Sequence, residues 1–65
     1  MKYKNNIEKY LKRRGISQRE LAELSFCTDV TMCRYISGQR IPNIHTAIRI
    51  ANALKADVYD VFPLE

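Results

Sequence analysis

An all-α domain of five helices is the fold that the sequence predicts, and three observations carry that expectation. Apolar residues recur at three- and four-residue steps in successive short segments. Each segment is bounded by a capping side chain or a glycine. No stretch alternates apolar and polar residues over the length of a strand, and the β-branched residues fall at helical positions.

The first helix is predicted from Ile7, Tyr10 and Leu11, which recur at i, i+3 and i+4 until Gly15 ends it. "SQRE" opens the second: Ser17 is a natural N-cap, and Glu20, three residues on, completes a capping box. This helix runs through Leu21, Ala22 and Leu24 to about Ser25. Thr28 caps a third, which stops at Gly38. Its segment "TDVTMCRYISGQR" gathers charged and small polar groups on one side and Met32, Tyr35 and Ile36 on the other. Pro42 drives Ile41 into an extended conformation, so "QRIP" is a connector. Asn43 caps a fourth helix, in which Ile44, Ala47, Ile48, Ala51 and Leu54 form a stripe of period 3.6. Asp57 caps a last turn, "DVYDVF", and Pro63 stops it.

With 65 residues, 46% of them hydrophobic and 28% charged, one folded domain with a small core is expected, with no linker and no internal repeat. No apolar run approaches the ~18 residues of a membrane span, and "MKYKNNIEKY" has no apolar stretch behind its basic residues. The expected location is therefore the cytoplasm, without membrane partners. Charge is uneven. Residues 1–40 hold nine Lys/Arg against four Asp/Glu, net +5, and residues 41–65 hold two against three, net −1, which together give +4. A basic first part points to a polyanionic partner and leaves the near-neutral end for something else.

Cys27 and Cys33 raise a metal or disulfide, but C-x5-C is not a zinc spacing and the lone His45 lies far along the chain. They read as two small apolar residues in a reducing compartment, so neither a metal nor any other cofactor is expected. An enzyme is not expected either. The chain shows no acid–base pair, no nucleophile beside a base and no phosphate-cradling glycine loop.

Two short helices, 17–25 and 28–37, meet across a turn of two or three residues, with Ala22 small enough for close approach and Leu21, Met32 and Tyr35 filling the inside. That is the layout of a helix-turn-helix. "GISQRELAELS", "TMCRYISGQRIP" and "IRIANALKADVYDVF", preceded by Ile7 and Tyr10, resemble the phage repressor and Cro-like (xenobiotic-response-element) family over about residues 7–62. Three positions depart from the family's habit. Phe26 stands where relatives usually have Gly in the tight turn, so either the turn differs or packing of the ring compensates. Leu11 and Ile36 replace a buried Arg and Glu together, an exchange that apolar packing tolerates. Cys33 stands where relatives often place Ser, removing a hydroxyl from the groove-facing side.

The resemblance implies a sequence-specific, double-stranded DNA-binding transcriptional regulator, a repressor acting as a homodimer on a palindromic operator. The alternative is a protein-interaction module, such as an antitoxin that pairs with a cognate toxin and represses its own operon. The outward residues of the third helix, Thr28, Asp29, Val30, Thr31 and Arg34, are the expected base readers. Arg34 suits guanine, Val30 a thymine methyl, and Asp29 either a cytosine amino group or the orientation of Arg34. Gln18, Arg19, Ser37, Gln39, Arg40 and Asn43 are the expected phosphate contacts, with Arg13 and Arg14 adding long-range attraction. Val58, Tyr59 and Phe62 are the expected dimer surface, although Val58 and Phe62 would equally serve as a cap on the core.

Overall fold

The five expected segments are helical in the computed structural model, which describes residues 4–63: α1 (Ile7–Arg14), α2 (Gln18–Leu24), α3 (Asp29–Ile36), α4 (Ile44–Ala53) and α5 (Val58–Val61), with no strand among the described residues. Short polar side chains start four of them. Ser17 accepts from the Glu20 N–H, Thr28 from Thr31, Asn43 from Thr46 and Asp57 from Tyr59. Each bond satisfies one of the N–H groups that a helix start leaves open, worth about 1 kcal/mol. Only the Ser17 half of the expected capping box forms: the Glu20 carboxylate accepts no hydrogen bond from the Ser17 N–H. α1 starts differently. The Asn6 N–H donates to the Val61 carbonyl at 2.8 Å and its side-chain amide to the Asp60 carbonyl at 2.8 Å, which ties the first helix to the last.

Helix ends follow one pattern with two kinds of residue. Gly15, Phe26, Gly38 and Lys55 all adopt positive φ, and the next residue's N–H returns to the last turn of the helix before it, as in Cys27 to the Ala22 carbonyl and Ala56 to Ala51. Glycine takes this conformation without strain; Phe26 and Lys55 do not. At Lys55 the Arg14 guanidinium supplies support, donating to the Leu54 carbonyl at 2.8 Å and the Lys55 carbonyl at 3.0 Å. Arg14 is thus also a clamp on the end of α4, a role that the sequence did not suggest.

The core is built from Ile7 and Leu11 of α1, Leu21 and Ala22 of α2, Met32 of α3, Ile50, Ala51 and Leu54 from α4 and its cap, and Val61 of α5. Leu11 is buried and Ile36 packs partly against the same core, so both substitutes for the relatives' ion pair face apolar surroundings. α4 corrects the predicted stripe. Its buried row is Ala47, Ile50, Ala51 and Leu54, whereas Ile44 and Ile48 stand 62% and 42% exposed. No helix among the described residues is long and apolar enough to cross a membrane.

Candidate nucleic-acid interface

α2 and α3 pack together over Leu21, Ala22 and Met32, and the turn between them sets how α3 is presented. That turn keeps the left-handed conformation at Phe26 (φ 58°) despite the side chain. The ring does not compensate by burial, since it is 80% exposed. Instead the Arg49 guanidinium of α4 lies over it, 5.1 Å from the ring centre. An exposed cation–π contact is worth about 0.5–1 kcal/mol, the same order as the strain it accompanies. Beneath the turn, the Ser25 hydroxyl is buried without a hydrogen-bond partner, and Cys27 donates its thiol proton to the Ser25 carbonyl at 3.4 Å. Burial pushes the Cys27 thiol above its ordinary value, with Arg49 pulling the other way. Cys33, on α3, is exposed. No group of three or more metal-ligating side chains occurs among the described residues.

On α3 the expected base readers differ in how free they are. The Thr28 hydroxyl accepts from the Thr31 N–H at 3.1 Å and donates to the Thr31 hydroxyl at 2.9 Å, so it is occupied as a cap. Thr31 keeps its own hydroxyl proton to donate outward. Asp29, Val30 and Arg34 are exposed. Asp29 and Arg34 form no ion pair, so the carboxylate does not orient the guanidinium; among the described residues nothing holds the Arg34 side chain. Arg34 therefore keeps all five of its N–H donors available in a planar fork.

Gln18 links the starts of the two helices: its side-chain amide reaches the Asp29 carbonyl at 3.4 Å. The first turns of α2 and α3 therefore share one edge. Asn43 accepts from Thr46 through its carbonyl oxygen at 2.9 Å, which leaves its NH2 free to donate. The Ser37 hydroxyl donates to the Arg34 carbonyl at 3.2 Å and must break that bond to donate to a phosphate. Arg19 pairs with Glu23 one turn on at 3.9 Å, both largely exposed, a contact worth about a few tenths of a kcal/mol that a phosphate can outbid. Gln39 and Arg40 are exposed beyond the end of α3. Arg13 lies over the Tyr10 ring at 5.3 Å, on α1. At the other end of the chain, Val58 and Phe62 pack partly against the core and Tyr59 stands exposed.

Comparison with known proteins agrees with the helix-turn-helix fold. A helix-turn-helix family model of the Cro/C1 type matches residues 7–61. No curated protein sequence matches significantly. The fold is similar to that of the restriction-modification controller protein C.AhdI from Aeromonas hydrophila, with TM-score 0.80 and 24% identity over 88% of this chain and 86% of that one. It is similar to the clp gene regulator ClgR from C. glutamicum, with TM-score 0.75 and 24% identity over 83% and 70% of the two chains. A transcriptional regulator from Listeria innocua gives TM-score 0.76 and 26% identity, over 92% of this chain and 57% of that one.

Proposed function

Because this chain belongs to the Cro/C1-type helix-turn-helix family, we propose that it is a sequence-specific, double-stranded DNA-binding transcriptional regulator. In this reading it represses transcription as a homodimer on a palindromic operator. The observation that carries the reading is the state of Arg34, an exposed and unheld guanidinium on the outer face of a helix whose N-terminal half also presents Val30 and Thr31. Such a fork pairs bidentately with guanine O6 and N7, while Val30 meets a thymine methyl and Asp29 accepts from a cytosine amino group. Gln18, Arg19, Gln39, Arg40 and the Asn43 amide hold the flanking phosphates. Size supports the two-copy requirement. The domain measures 26 Å along its longest axis, shorter than the ~34 Å between half-sites one DNA turn apart.

Arg40 tests the phosphate half of this reading. Its exposed side chain follows α3 without a partner among the described residues, so Arg40→Ala should weaken binding similarly on any duplex. A titration of a mixed-sequence duplex at several salt concentrations should show the slope of log affinity against log salt falling by about one per lost contact. Binding that ignores salt in the unmodified protein would overturn the proposed DNA function.

A further inference from the structure

α3 is held at both ends, and the attachment at its far end comes from the segment before α1. The Asn5 side chain uses both halves of its amide. Its oxygen accepts from the Ile7 N–H at 3.1 Å, at the start of α1, and its NH2 donates to the Tyr35 carbonyl at 2.7 Å, in the last turn of α3. Asn6, the next residue, donates its N–H to the Val61 carbonyl and its side-chain amide to the Asp60 carbonyl, both at 2.8 Å. Asn5 is therefore not on a loose arm. It is bonded into the start of α1, and its neighbour is bonded to the end of α5.

We propose that Asn5 is a positioning residue for base reading: without touching DNA, it fixes the end of α3 so that the Arg34 guanidinium is aimed at its base. The inference rests on the DNA reading above and adds the residue that aims its principal reader. The carbonyl that Asn5 holds belongs to the residue directly after Arg34, so the bond restrains the backbone from which that side chain projects. Otherwise α3 is held to the core by Met32, Tyr35 and Ile36, whose apolar packing is non-directional. Such packing keeps the helix down but resists a small rotation about its axis only weakly. A hydrogen bond of 2.7 Å is directional and resists that rotation. A bidentate arginine–guanine pair needs this restraint, because its planar fork must lie within about 0.5 Å and 10–20° of the productive geometry. Arg34 has no neighbour to aim it among the described residues, which leaves its direction to the backbone beneath it.

Asn5→Ser separates the two halves of the amide: the hydroxyl can still accept from the Ile7 N–H but is too short to reach Tyr35. The probe is the duplex that the unmodified protein enriches from a random pool, set against a scrambled counterpart at a temperature where circular dichroism shows every variant folded. The ratio of the two affinities should fall about 3- to 30-fold in Asn5→Ser, part of the loss expected for Arg34 itself, while binding to the scrambled duplex changes by less than about twofold. In an Arg34→Ala background the same substitution should leave the ratio within about twofold, because the side chain that it aims is gone. Asn6→Ala, which removes a bond to α5 instead, should lower stability without moving the ratio. Should Asn5→Ser fail to fold, Asn5→Asp, which keeps the acceptor and loses the donor, carries the same expectations. A ratio unchanged in the folded Asn5 variant, lowered equally by Asn6→Ala, or lowered as much again in the Arg34→Ala background overturns the inference and leaves the DNA reading standing. An unmodified protein that enriches no duplex overturns both.

Discussion

Arg34→Ala is expected to weaken binding to a cognate duplex by about 1–3 kcal/mol per half-site, roughly 5- to 150-fold, while affinity for a scrambled duplex changes little. The asymmetry follows from what the side chain does in the free protein. No neighbour among the described residues holds it, so its removal leaves no buried partner stranded there and the fold should be unaffected. In the proposed complex with DNA its loss would remove two hydrogen bonds that only one base pair can supply in that geometry. Specificity should relax at one position per half-site, and two-fold symmetry doubles the effect. Affinity titrations on cognate and scrambled duplexes separate the outcomes. Equal losses on both would assign Arg34 to a phosphate.

Met32→Ala is expected to lower stability by about 2–5 kcal/mol, measured by chemical denaturation. Met32 is the one fully buried side chain of α3, and it anchors the helix against Leu21 and Ala22 of α2. Truncating it removes apolar contact and leaves a cavity in a core with few residues to collapse into it. A domain of this length has a total stability of roughly 3–10 kcal/mol, so the variant should be substantially unfolded at modest denaturant concentration. DNA binding should decline with the folded fraction, and not selectively on one sequence. Leu24→Ala, at an exposed position of the adjoining helix, should change stability by no more than about 0.5 kcal/mol.

The parts of this fold that were legible in the sequence are those set by local chemistry. Ser17, Thr28, Asn43 and Asp57 each cap the helix expected of them, because a short acceptor before a helical segment meets the open N–H groups whatever the tertiary context. Gly15 and Gly38 end α1 and α3 for an equally local reason. What failed depends on neighbours far along the chain. In α4, Ile44, Ala47, Ile48, Ala51 and Ala47, Ile50, Ala51, Leu54 both fit the helical period. Periodicity identifies the helix but cannot choose between two overlapping apolar rows; packing against α2 and α5 chooses the second. Arg14 looked like one more surface cation, because the carbonyls it holds come from Leu54 and Lys55, forty residues on. The Arg49 guanidinium that lies over the Phe26 ring is likewise a partner invisible to local pattern.

The site was legible by residue type and only partly by state. Spacing placed Asp29, Val30 and Arg34 on an exposed helix face, and they are exposed. Thr28 and Ser37 hydroxyls are taken up by the backbone or a neighbouring hydroxyl, which residue identity alone does not reveal. Asn43 could be read both as a cap and as a donor because its amide has two ends, and the cap uses only the oxygen.

The central claim is that the outer face of α3 reads base sequence in double-stranded DNA. A selection of bound duplexes from a random pool tests it most directly. The expected product is an enriched inverted repeat, its half-sites about one turn or roughly 10 base pairs apart, with a guanine in each half whose enrichment disappears in Arg34→Ala. Duplexes recovered with no sequence preference, or a preference unchanged in Arg34→Ala, would contradict the assignment of this helix as the reader.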